Sequence, residues 1–238
     1  MLGELATAAA AGLTAGGLYY GAMAPWSQMY GRTLIAGCDQ HEIALTYDDG
    51  PNDIHTGHLL EVLAKHNVRA TFFMIGERVR QRPQMAREVL AAGHCIGNHT
   101  MTHPNLLWCS ASRIWSELAE CNAVLADTLG MVPDLFRPPY GARRPHVLRV
   151  ANALGMTPVL WNVSSCDWKI TDPTALMSHV QQGLRKTMKQ HRSSNILMHD
   201  GGHTALGIDR SQTVVATAML LDKCIDIGVQ FVTPERWL

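Results

Sequence analysis

Past residue 42, short apolar runs alternate with longer stretches whose apolar positions recur every three or four residues. Runs at 43–47, 70–74, 94–96, 135–137, 158–163, 195–198 and 229–232 read as buried strands. Helical periodicity covers 56–66, 78–92, 111–129, 145–154, 173–189 and 210–227. Pro145 and Pro173 fall in first helical turns, where the missing N–H costs nothing. Gly93, Gly130, Gly155 and Gly228 lie just past helix ends, where a left-handed residue stops the helix. Strands that alternate with helices predict a parallel sheet. Seven of them predict an α/β fold, a distorted parallel (β/α) barrel of about seven strands that is closed or nearly so. No repeat or low-complexity tract interrupts the pattern, so residues 41–238 read as one domain and residues 1–40 as a separate N-terminal segment.

Composition narrows the function. The 238 residues are 47% hydrophobic and 17% charged, and 20 basic residues balance 20 acidic ones. No net field attracts nucleic acid, and none is expected as a partner. Six cysteines without a C-x-x-C pair read as core residues or free thiols, which leans toward a reducing compartment. Residues 5–24 carry no charge and are long enough to span a bilayer, yet Ala and Gly supply little insertion energy. Glu4 is the only early charge, unlike the basic start of a secretory signal. Two expectations stand for this stretch: association with a membrane, or a helix docked on the domain.

Candidate chemistry gathers at strand ends, where barrels of this kind carry function. Asp48 and Asp49 close the first strand before the Gly50-Pro51 turn, and side-chain alternation points them differently. Taken alone, they are also what an ordinary acidic turn contains. His99 and His103 stand four apart, a spacing that lets both reach one metal, but His199 and His203 share it. Context favours the first pair: a strand precedes His99 and Pro104 closes the segment, whereas Gly201-Gly202 predicts a loose loop. His203 is therefore expected to stand apart from a metal. Arg137-Pro138-Pro139-Tyr140-Gly141, Ser164-Ser165-Cys166-Asp167-Trp168 and Leu197-Met198-His199-Asp200 complete the set, each unremarkable when seen singly.

Together and in this order, the five segments resemble the polysaccharide deacetylases of the NodB-homology type, carbohydrate esterase family four. The family's T-F-D-D-G-P motif appears at residues 46–51 with Tyr47 for Phe, and H-[ST]-x-x-H at 99–103. R-x-P-[YF]-G matches residues 137–141, and L-x-H matches Leu197–His199. D-x-x-D-W is partial, with Ser164 in place of its first Asp and with Asp167 and Trp168 matching. The resemblance runs from about residue 42 to the end and leaves the first forty residues outside.

It implies a divalent metal on Asp49, His99 and His103, zinc first, with cobalt, nickel or manganese as alternatives. It implies Asp48 as general base and His199 as general acid, with Arg137 orienting the base and Asp167 tuning the acid. Trp168 and Leu197 would wall the acetyl pocket. The Tyr140 backbone N–H is a candidate oxyanion donor. The expected activity is removal of N-acetyl groups from N-acetylglucosamine-containing saccharides of the chitooligosaccharide or peptidoglycan type. Xylan O-acetyl ester hydrolysis and a silent carbohydrate-binding role are the alternatives. The expected location is the cell envelope or a membrane surface, with the cytoplasm as alternative.

Overall fold

The computed structural model describes residues 16–224 and 228–238. Eight parallel strands form one curled sheet: β1 (Glu42–Asp48), β2 (Thr71–Met74), β3 (Cys95–Asn98), β4 (Leu135–Phe136), β5 (Thr157–Pro158), β6 (Val163–Ser164), β7 (Ser194–His199) and β8 (Gln230–Val232). Their order is β5-β4-β3-β2-β1-β7-β6, and β8 pairs with the start of β1. Helix α1 is described over residues 16–23. The others are α2 (His55–Lys65), α3 (Gly76–Gln81), α4 (Pro83–Ala91), α5 (Ala111–Leu129), α6 (Pro145–Ala153), α7 (Pro173–Lys189) and α8 (Ser211–Cys224).

The period of two along each strand sorts its side chains. Ile43, Leu45 and Tyr47 of β1 join Phe72, Met74, Ile196 and Met198 in the main core, packed against Leu59, Leu63, Leu125, Met177 and Leu221 of the helices. Each such buried side chain contributes about 1.5–3 kcal/mol. Thr46 and Asp48 take the opposite parity and face the barrel interior, as do Leu197 and His199 of β7. The parallel register sets Thr46 beside Leu197 and Asp48 beside His199. Two strands thus deliver one polar row to one rim.

The predicted elements recur with two differences, and residues 225–227 of the helix expected over 210–227 lie outside the described residues. The helix expected over 78–92 breaks at Arg82 (φ −134°, ψ 56°), because Pro83 disfavours helical geometry in the residue before it and starts α4 instead. The strand expected over 158–163 divides in two, since its ends pair with different neighbours: β5 with β4, and β6 with β7. Across this seam the N-terminal segment is laid in. Leu34 N–H donates to the Pro158 carbonyl and Leu160 N–H to the Leu34 carbonyl, both at 2.8 Å, and Ser193 N–H donates to the Gly37 carbonyl at 3.2 Å. Gly130 (φ 70°) ends α5 in the left-handed conformation its position predicts.

Buried Arg143 fastens the preceding stretch. Its Nη1 donates to the Ala22 carbonyl at 3.3 Å, and its Nη2 donates to the carbonyls of Ala24 at 2.7 Å and Ser27 at 2.6 Å. The expectation for residues 5–24 divides accordingly. Its described part docks on the barrel, and residues 5–15 lie outside the described residues. Among the described residues no helix is long and apolar enough to cross a membrane. All six cysteines are free.

Candidate metal and catalytic site

The site is built at the C-terminal ends of β1, β3, β4, β6 and β7, where the chain turns out of the sheet. Five non-glycine residues there take left-handed backbone angles: Asp49 (φ 73°), Thr100 (φ 68°), His103 (φ 60°), Tyr140 (φ 60°) and Cys166 (φ 58°). Such strain persists only where surrounding contacts impose it, and it concentrates at functional sites. For Asp49 the consequence is direct: β1 has just ended, and the turned backbone swings its carboxylate away from the Asp48 row.

Asp49 Oδ1 lies 3.4 Å from His99 Nε2 and 3.2 Å from His103 Nε2, and all three residues are buried. Ligand atoms of these three lie within 4.8 Å of one another. Burial would raise the Asp49 pKa, but His103, His203 and His99 around it hold it well below the usual carboxylate range. Burial lowers the pKa of His103 against the opposing pull of Asp49, which favours the neutral imidazole that binds metals. His99 Nδ1 lies 2.7 Å from the Arg137 carbonyl, so Nδ1 carries the proton and Nε2 keeps its lone pair toward Asp49. Asp49 Oδ1 is buried without a hydrogen-bond partner. An orphaned carboxylate oxygen facing two imidazole nitrogens fits a divalent cation.

Two charged pairs flank this cluster. Arg137, fully buried, donates from Nη1 to Asp48 Oδ1 and to Thr46 Oγ1, each at 2.8 Å. Its guanidinium lies 4.1 Å from the Phe73 ring centroid, a face that holds it level with the carboxylate. Asp48 Oδ2 is 3.7 Å from His99 Nε2, which places the second aspartate beside the cluster rather than in it. Across the rim, His199 Nδ1 lies 2.7 Å from Asp167 Oδ1. Asp167 Oδ2 accepts from the His199 backbone N–H at 2.7 Å and from Thr213 Oγ1 at 2.8 Å. Burial would lower the His199 pKa, but the Asp167 carboxylate more than reverses this and pushes it up to about 9.

The remaining predicted residues border the same mouth. Trp168 packs edge-on against His199 with centroids 5.3 Å apart, and Tyr140 packs edge-on against His103 at 4.8 Å. Both rings are about half exposed, whereas Leu197 is buried beside His199 in β7. Ser164 Oγ, at the position of the missing acid, lies 3.6 Å from Cys166 Sγ.

One expectation changes. The loop after β7 is not loose. Arg78 Nη2 donates to the carbonyls of Gly202 at 3.3 Å and His203 at 3.0 Å, and Arg210 Nε donates to the Gly201 carbonyl at 2.7 Å. Its glycines serve close approach: a Cβ at Gly201 would strike the Asp49 carbonyl, and one at Gly202 would strike Ile208. His203 is brought to the cluster, its Nδ1 3.5 Å from Asp49 Oδ2 and its ring stacked on His103 at 4.5 Å and 19°. Thr213, which braces the His199–Asp167 pair, carried no signal in the sequence, since an isolated threonine in an apolar run has none of its own, whereas Thr46, which accepts from Arg137, stood there as the first residue of the 46–51 motif.

Comparison with known proteins decides the family. Its sequence model, polysaccharide deacetylase, matches residues 37–159. The chain belongs to the polysaccharide deacetylase family. Within this family it is 35% identical to a chitooligosaccharide deacetylase of Rhizobium leguminosarum bv. trifolii, over 78% of this chain and 86% of that one. A peptidoglycan-N-acetylglucosamine deacetylase of Bacillus cereus is 36% identical, over 82% of this chain and 87% of that one. Among solved structures, a mutant of a CE4 family pseudoenzyme superposes with a TM-score of 0.77 at 26% identity, covering 87% of this chain and 70% of that one. The polysaccharide deacetylase match includes both aspartates, the His99–His103 pair and Arg137, and the longer alignments carry it beyond residue 159.

Proposed function

We propose that this chain hydrolyses the N-acetyl amide of N-acetylglucosamine units in chitooligosaccharide- or peptidoglycan-type saccharides, releasing acetate and leaving a free amine. The observation that carries this reading is the placement of two carboxylate–cation pairs, one with an arginine and one with a histidine, around one cation-sized cluster. Asp48, bonded to Arg137, stands in register with His199 on the neighbouring strand, and His199 is bonded in turn to Asp167.

Asp49, His99 and His103 would hold the divalent metal, and zinc suits an Asp-His-His set that leaves positions open. When bound, it supplies a Lewis acid that polarises the acetyl carbonyl and acidifies water. The protein's own groups do the rest. Asp48, oriented by its hydrogen bond from the Arg137 guanidinium, takes the proton of the attacking water. The Tyr140 backbone N–H would serve as a donor to the oxygen of the acetyl carbonyl as charge collects there. His199, protonated through neutral pH because of Asp167, gives its proton to the departing sugar nitrogen. Trp168 and Leu197 form the apolar wall against the acetyl methyl. Residues 41–238 form the catalytic domain in this reading, and residues 1–40 an N-terminal segment. Relatives named for peptidoglycan support work at the cell envelope.

Acetate release from acetylated chitooligosaccharide, peptidoglycan and acetylxylan, measured side by side, tests the reading. Release from the first two should stop with a strong chelator and return with zinc or cobalt. Release from xylan alone would make the chain an O-acetyl esterase. No release from any of the three would leave the silent binding role.

A further inference from the structure

The two histidines of the cluster are held differently. His99 is anchored through Nδ1 to the Arg137 carbonyl at 2.7 Å, the kind of outer hydrogen bond that orients metal-binding imidazoles. His103 has no such anchor. Its Nδ1 is buried without a partner, and its backbone is held in the left-handed region. What fixes its ring is aromatic contact: His203 stacked on it at 4.5 Å and Tyr140 edge-on at 4.8 Å, with Tyr140 and His203 themselves edge-on at 5.7 Å. Asp49 shows the same division of labour. Its Oδ1 faces the two Nε2 atoms, while its Oδ2 has His203 Nδ1 at 3.5 Å.

We propose that His203 is a positioning residue of the metal centre. Its Nδ1–H restrains the outer oxygen of Asp49 so that Oδ1 stays turned toward the cation, and its ring holds the unanchored His103 imidazole in place. The inference rests on the reading of Asp49, His99 and His103 as metal ligands. The surrounding structure supports a fixed position for His203. Buried Arg78 and Arg210 clamp three successive carbonyls of its loop, and Gly201 and Gly202 lie too close to Asp49 and Ile208 to carry side chains. With a 40% exposed side chain, His203 itself closes the outer edge of the cluster toward solvent.

Zinc binding to the metal-free protein, measured by competition with a chromogenic chelator and without substrate, tests this. His203→Ala should weaken zinc by about 10–100-fold, the usual effect of losing an outer-shell partner. His203→Asn keeps a nitrogen donor near the Nδ1 position and should recover most of the affinity. His203→Phe keeps a ring but no donor and should recover less. Turnover of His203→Ala should rise toward wild type as excess zinc is added. Wild-type affinity in His203→Ala overturns the proposal. So does full recovery in His203→Phe without recovery in His203→Asn, which would reduce the contact to space filling. The ligand reading has its own control, since His99→Ala should abolish tight binding; unchanged zinc affinity there removes the reading whatever His203 does. Tight zinc binding by a wild-type protein that deacetylates nothing removes the proposed activity and leaves the inference standing.

Discussion

Asp48 and Asp49 are adjacent and almost equally buried, yet the structure gives them different neighbours. Asp48 ends a strand and meets Arg137, whereas Asp49, turned at φ 73°, meets three imidazoles. Asp48→Asn should therefore keep the metal and lose about 10²–10⁴-fold in rate, the worth of one acid–base group. Asp49→Asn should lose metal, and its activity should recover in part with excess zinc. Metal analysis beside kcat separates the two, and the reverse pattern would exchange their roles. His199 gives a prediction in pH. An acid works in its protonated form, so activity should fall as pH rises through the His199 pKa, about 9. Asp167→Asn removes the charge that raises this pKa, so the alkaline limb should move to lower pH. A limb that stays in place at an unchanged rate takes Asp167 out of the mechanism. The sign carries over to stability. A folded-state pKa raised from 6.5 to about 9 contributes stability fully below 6.5, and that contribution is lost as pH rises through 9.

Elements position these residues through their ends. α7 begins where Asp172 accepts from the Ala175 N–H at 2.7 Å, with Pro173 in the first turn. Asp172→Ala should cost about 0.5–2 kcal/mol in denaturant unfolding and leave zinc affinity unchanged, because the cap contacts none of the cluster. Equal stability would mean water replaces the cap without loss. The helix bounds of α5 and α7 were legible in the sequence, since amphipathic spacing and end signals are local. The Gly201-Gly202 stretch was legible only as an exception to helix and strand. Glycine marks both looseness and close approach, and which one applies depends on atoms far along the chain, here the Asp49 carbonyl and Ile208.

At the scale of the molecule, the barrel does not close on strand pairing alone. β5 and β6 end the sheet on either side, and residues 34–37 bridge the seam between them. Arg143 ties the chain before that bridge to the loop that carries Tyr140. Arg143→Met leaves the carbonyls of Ala22, Ala24 and Ser27 without their shared donor, a loss of about 1.5–3 kcal/mol by the worth of a hydrogen bond to a charged group. The expected result is a lower Tm and new proteolytic cuts near residues 22–27; an unchanged cutting pattern would show that the segment docks without this clamp. The sequence by itself determined the strand–helix alternation and the rim on which the candidate Asp, His and Arg residues gather. Local periodicity and turn chemistry act over a few residues and so can be read from a single stretch. The tertiary structure decided the division of 158–163 into two strands, the bridging of the seam by residues 34–37 and the arrival of His203 at Asp49. Each depends on segments distant in sequence meeting across a curled sheet, and no local pattern encodes that curvature.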